Sequence, residues 1–293
     1  MAPNKQNRTL WGDAWRRLRK NKLAVCGFCW IAFMVLVALS ADLWAPQLLG
    51  SPTFVDTTMT ATMSKMPPSL QHPFGTDSLG RDELVRVIYG ARVSLSVGVL
   101  AMSISLIIGL VLGTTAAYFG GVWDSIIMRA TDIFMAFPYI LFAIALLAAL
   151  GPSFVNMFIA IGIIGWTAIA RVIRSIILQV KESDYVSAAR ALGASDFRII
   201  MRHVLPNSLA PVIVYATMSI GTAIISEAAL SFLGLGIQPP TPSWGLMIAE
   251  AQQYLVVAPW LVLCPGLAIL LTVLSFTLLG DGLRDAMDVK VTD

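Results

Sequence analysis

The sequence predicts an all-α polytopic membrane protein with six transmembrane helices and both termini in the cytoplasm. Three observations carry that reading. Of 293 residues, 57% are hydrophobic and only 13% charged, against about 25% charged in a typical soluble protein. Six apolar runs match the ~20 residues that a bilayer crossing needs. The Lys and Arg residues also divide sixteen against four between alternate sides, and cytoplasmic loops take the excess.

The runs are Leu23–Ala41, Val93–Tyr118, Ile126–Leu150, Phe154–Ala170, Leu209–Gly234 and Ala258–Leu279. The fourth has 17 residues and is expected to continue into Arg171. The inner side receives the cluster from Lys5 to Lys22, then Arg129, the loop residues from Arg171 to Arg202, Arg284 and Lys290. The outer side has Lys65, Arg81, Arg86 and Arg92.

Taken in order, Trp11, Trp15 and Leu18 lie at i, i+4 and i+7, so Leu10–Lys20 is expected as an interfacial helix on anionic lipid. The first run holds 19 residues, longer than the ~7–15 of a cleaved signal, and reads as a retained helix. Its basic flank is topogenic and does not point to nucleic acid. Cys26 and Cys29 fall within the run and are expected as buried structural thiols, not a redox pair; Cys264 has no evident partner.

The outer segment Asp42–Arg92 begins as irregular, proline-punctuated loop. Its second half is expected to form a short helix opened by Asp77 or Ser78, with Leu84, Val87 and Ile88 on one face. The chain divides into residues 1–75, an appended first span, and 76–293, a five-helix core. Gly109 and Gly113 form a GxxxG that permits close helix approach. Pro138 should kink the third span, where Arg129 and Asp132, three apart, are expected to pair along the helix. Glu227 lies deep in the fifth span, either as a packing carboxyl or as a pathway or gate contact. After a Pro-rich turn, Trp244, Met247, Ile248, Ala251 and Leu255 suggest a short helix along the outer membrane surface.

Catalytic motifs are missing. No Gly is followed by Lys, which excludes a phosphate loop, and neither HExxH nor GxSxG occurs. His72 and His203 fall on opposite sides of the membrane. No catalytic, cofactor-binding or metal residue is assigned. An ion-coupled secondary transporter is a rival reading, with Glu227 as its one candidate site.

The segment "YVSAARALGASDFRIIMRHVLP", residues 185–206, interrupts the oily chain. Asp184–Leu192 forms a helix that Gly193 stops. Ser195 caps a second helix, with Asp196 at its positive end, running until Pro206. Phe197, Ile200, Met201 and Val204 make an apolar stripe beside the basic Arg198 and Arg202. Physically, such a helix either docks a soluble partner or lies in lipid headgroups.

The pattern resembles the cytoplasmic EAA loop of ABC importer permeases. Ala188, Ala189, Gly193, Leu205 and Pro206 fall in its register, Ser187 stands in place of the glutamate, and His203 where isoleucine is common. "FGTDSLGRDELVRVIYGARVSL", "EAALSFLGLGIQPPTPSWG" and "LLGDGLRDAMD" are similar to the C-type permease subunit of dipeptide and oligopeptide importers, a subfamily that includes nickel, glutathione and antimicrobial-peptide systems. The resemblance implies a type I ABC importer permease in a bacterial plasma membrane. It implies a second, homologous permease, two cytoplasmic ATPases that bind ATP and Mg, and an extracytoplasmic binding protein. Ala188, Ala189 and Gly193 would then allow close approach to an ATPase groove, with Arg190, Asp196 and Arg198 as polar contacts.

Overall fold

The fold comes from a computed structural model that describes residues 10–48, 53 and 60–287. Lys5, Arg8 and Lys290 of the charge bias, and most of the "SPTFVDTTM" loop, lie outside the described residues. Among those described, the chain is helical, with a lone β-bridge between Thr76 and Asp82.

Helix α1 (Leu10–Lys20) ends at Asn21, whose Oδ1 accepts from the backbone N–H of Leu23 and Ala24 and so starts α2 (Lys22–Leu48). The expected interfacial helix is present, but its inner face is not free for lipid. Ala14 and Leu18 are buried with Ala24 and Ala286, while Trp15 remains exposed with the Arg19 guanidinium 4.9 Å from its ring centroid. The side chain of Trp11 lies outside the described set.

Helix α2 packs on the last helix, α12 (Trp260–Met287), through Gly27: a Cβ there would meet the Ser275 carbonyl oxygen at 2.6 Å. That contact turns Cys26 and Cys29 outward, and both are exposed, not buried as expected. In an apolar surround an uncharged thiol behaves as a small hydrophobe, so the exposure needs no redox role.

A four-residue α3 (Thr60–Met63) precedes the outer turn. Asp77 organises that turn, accepting from the N–H of Leu79 and Arg81 and from Arg81 Nε at 2.6 Å. The separate short helix expected from Asp77 does not form. Asp82 is the N-cap, accepting from Val85 N–H, and α4 (Glu83–Phe119) then runs unbroken for 37 residues. At 1.5 Å per residue that is about 55 Å, well beyond a ~30 Å hydrocarbon core, which leaves room for the first turns of α4, with Glu83 and Arg86, to lie clear of the bilayer centre.

Helices α4 and α7 (Phe154–Lys181) make the closest pair. A Cβ on Gly113 would lie 2.6 Å from the Ala170 carbonyl oxygen, and one on Gly109 2.7 Å from Ile169. Ser153 caps α7 by accepting from Asn156 N–H, and the helix extends past the predicted end at Ala170 to Lys181.

The third apolar run does not form one straight helix. It is α5 (Gly121–Ala136) and α6 (Tyr139–Leu150), bent by 88° at Phe137–Pro138. Proline disfavours the helical conformation for the residue before it, and Phe137 is extended at φ −92°, ψ 138°. Five other helices are long and apolar enough to cross. Asp132 pairs with Arg171 of α7 at 2.8 Å, not with Arg129. The α5–α7 packing brings a guanidinium across to it, which the i,i+3 spacing alone did not reveal.

Beyond α8 (Asp184–Ala191) and α9 (Asp196–Ile199), a π-helical turn, Ile200–Val204, leads into α10 (Leu205–Phe232). Pro206 therefore does not end the helix. Leu205 N–H donates to Ile200 O, five residues back, and this wider turn accommodates a ring that would clash with the i−4 carbonyl of a regular helix. The expected short helix forms as α11 (Trp244–Ala251), with much of it buried in the protein. Trp244 is fully buried among Val87, Ala91 and Phe276, and its indole N–H donates to Val87 O at 2.9 Å.

Candidate functional site

Residues 184–206 form a compact helix–turn–helix fixed to the C-terminal ends of α4 and α7. Gly193 has φ +79° and ends α8. Its N–H donates to Arg190 O at 3.0 Å, and Ala194 N–H donates to Ala189 O at 3.1 Å, the paired bonds of a glycine helix stop. Ser195 occupies the N-cap position of α9 without accepting a cap bond through its side chain.

The buried face differs from the predicted stripe. Val186, Ile199 and Val204 are fully buried against Ile173 and Ile177 of α7, whereas Leu192, Phe197 and Met201 are 89%, 74% and 49% exposed. The π-turn shifts the register between 200 and 204, so a regular 3.6-residue repeat assigns these faces wrongly. Ala188, Arg190 and Arg198 are exposed, Ala189 and Leu205 half-buried, and Pro206 exposed. A Cβ on Gly193 would have no atom within 4 Å. The tip therefore presents an apolar knob beside an open glycine.

Polar contacts brace this tip. Tyr118, at the end of α4, donates its hydroxyl to Asp196 Oδ1 at 2.7 Å, and the Arg190 guanidinium sits 6.0 Å from the same ring. Contact with the Tyr118 hydroxyl raises the Arg190 pKa. Lys181 donates to Ala117 O at 2.8 Å, placing a cation at the negative end of α4. Arg174 grips Asp124 of α5 with two 2.6 Å bonds. Asp196 and Arg198 are both exposed, and Asp196 is tied to Tyr118 of its own protein. Tyr118, Lys181, Arg174 and Asp124 were missed in sequence; Tyr118, at the end of a predicted apolar run, was the available signal.

Glu227 is fully buried on α10. It accepts from Ser94 of α4 and from Ser231, each at 2.8 Å, and Ser94 in turn accepts from Trp244 N–H at 3.4 Å. The cluster ties α4, α10 and the start of α11 together. A cavity of about 490 Å³ opens deeper, at the α5–α6 break, and Glu227 is not among its lining residues. Among the described residues no group of three or more His, Cys, Asp or Glu is placed to hold a metal ion.

Comparison with known proteins gives a consistent result. The family described as binding-protein-dependent transport system inner membrane component matches residues 105–293, and the N-terminal TM domain of oligopeptide transport permease C matches residues 9–68. The dipeptide transport system permease protein DppC of Alkalihalophilus pseudofirmus is 47% identical, over 96% of this chain and 90% of that protein. The glutathione transport system permease protein GsiD of Escherichia coli is 46% identical, over 98% and 92%. Among solved structures, the inward-facing MetNI methionine ABC transporter aligns with a TM-score of 0.56 at 19% identity, covering 70% of this chain and 96% of that one. At that identity the likeness is one of fold.

Proposed function

The chain belongs to the family of binding-protein-dependent transport system inner membrane components, and on that premise we propose that it is the C-type permease subunit of an ATP-driven importer of short peptides. It is a multi-pass protein of the bacterial inner membrane. Its termini and the 184–206 segment face the cytoplasm, as the sixteen-to-four distribution of basic residues supports. It pairs with a homologous permease to enclose the pathway. Two ATPase subunits supply the ATP and Mg sites, and an extracytoplasmic binding protein delivers substrate. The two relatives named for dipeptide and for glutathione transport share short peptides as cargo.

One observation carries the coupling role: an exposed apolar tip, Leu192, Phe197 and Met201 around Gly193, held on a braced base. An ATPase that seats on the tip moves it when ATP closes the ATPase pair. The Asp196–Tyr118 and Lys181–Ala117 bonds pass that displacement to α4, Arg174–Asp124 passes it to α5, and the continuous π-turn passes it to α10. Packed helices then shift as bodies, giving alternating access. Energy enters from ATP, so no ion site is required in this chain.

Reconstitution tests the reading. Liposomes holding this chain, its sister permease, both ATPases and the binding protein should accumulate labelled dipeptide only with internal ATP. Uptake by this chain alone, driven by an ion gradient, would establish the secondary-transporter alternative instead.

A further inference from the structure

The coupling role leaves unused a cavity at the bend between α5 and α6. Its walls come from α4, the α5–α6 break, α7 and α10. Two properties separate it from a packing defect.

The first is backbone. The break leaves the last carbonyls of α5 and the first N–H groups of α6 without intrahelical partners, and Pro138 at the start of α6 offers no side-chain cap. At membrane depth, non-helical backbone is tolerated where it is buried in protein or lines a water-filled cavity. Phe137, Pro138 and Tyr139 line this one.

The second is a line of hydroxyls. Tyr215, Ser219 and Thr222 stand at i, i+4 and i+7 on α10, and all three line the cavity. Elsewhere on α10, Ser208, Thr217 and Ser226 bond back to the carbonyl four residues earlier. Among the described residues, none partners the hydroxyls of Tyr215, Ser219 or Thr222. Polar groups directed into a cavity rather than into their own helix are available to a ligand. No Asp, Glu, Lys or Arg lines this space.

From this juxtaposition we infer that the Tyr215–Ser219–Thr222 face, opposite the Phe137–Pro138 break, is a transit site that reads the backbone amides of a short peptide. The inference rests on the peptide-importer reading above. At about 490 Å³ the space admits a short peptide. Neutral hydroxyls both donate and accept, so they match amide N–H and C=O whatever the side chains. Substrate breadth follows from this lining.

The test uses the assembled transporter in a background with Cys26, Cys29 and Cys264 changed to Ser. Ser219→Cys and Thr222→Cys should react with a water-soluble thiol reagent, dipeptide under turnover should slow the reaction, and the adduct should cut dipeptide uptake at least tenfold. Ile107→Cys, exposed on α4 and outside the lining, should neither label nor lose uptake. Should the cysteine variants fail to assemble, Thr222→Val and Tyr215→Phe keep the shape and remove a hydroxyl. Each should lower uptake roughly two- to tenfold, the worth of one hydrogen bond. Absence of label in an assembled complex, label without loss of uptake, or wild-type uptake by both isosteric variants overturns the inference. Failure of the unmodified complex to transport peptide refutes the underlying reading instead, and shows before any variant is compared.

Discussion

Replacing Gly193 by valine separates strain from contact at the heart of the coupling segment. Its φ of +79° lies in the left-handed region, which costs an L residue about 1–2 kcal/mol and a β-branched one up to about 3. Nothing in this chain lies within 4 Å of the new Cβ, so there is no internal clash to add. Val186, Ile199 and Val204 have no exposed surface and hold the two helices in place. The variant should therefore insert, pair with its sister permease and keep its thermal stability to within the strain. Strain of about 1–3 kcal/mol would reduce the docking-ready conformation by roughly fivefold to more than a hundredfold, and the added methyl groups would also occupy the space of an approaching ATPase. Affinity capture of the ATPases should show near-complete loss for Gly193→Val and a milder loss for Gly193→Ala. Gly193→Asn tells the two causes apart, since asparagine tolerates positive φ yet still adds bulk. The account predicts that it fails like valine. Full ATPase binding and transport by Gly193→Val would refute the reasoning.

Other sites give further expectations. Gly113→Val places atoms against the Ala170 carbonyl, 2.6 Å from the Cβ position, and should cost about 1–3 kcal/mol by overpacking; Gly266→Ala, with nothing within 4 Å, should be neutral in the same thermal-unfolding assay. Arg86 is 2% exposed and donates to Glu250 at 2.8 Å; Glu250 is partly exposed and keeps Arg81 at 3.8 Å, so Arg86→Leu should destabilise by about 1–3 kcal/mol, the worth of a hydrogen bond to a charged group, read as a lowered Tm. Glu227→Gln keeps an acceptor for one of the two serine hydroxyls and should leave partial, pH-independent transport. Total loss of transport with normal ATP hydrolysis would contradict that expectation.

Much of this fold was legible because a bilayer imposes length and polarity on each crossing. The runs marked the crossings, and glycine chemistry marked the stop at Gly193. What escaped the sequence depended on neighbours. Pro138 announced a kink, but the 88° bend needs the walls that surround it. Asp132 had Arg129 nearby in sequence and found Arg171 across a helix interface. Trp244 read as a surface aromatic until α4 and α12 enclosed it. Within the 184–206 segment, the π-turn brings Val204 round to the buried face of Ile199 and away from Phe197 and Met201, a register change that no 3.6-residue pattern contains. The Tyr215, Ser219 and Thr222 spacing was visible all along, but hydroxyls are common in helices and only the cavity gives the spacing a direction.

The central claim is that the 184–206 tip is where ATP-driven motion enters this chain. Cysteine at Leu192, 89% exposed at the tip, tests it directly when combined with a short thiol cross-linker in the assembled, cysteine-free complex. The account predicts a covalent adduct with an ATPase subunit, strengthened by ATP and accompanied by loss of uptake, and none from cysteine at Leu36, exposed on α2. An active complex in which Leu192→Cys forms no ATPase adduct in any nucleotide state would contradict it.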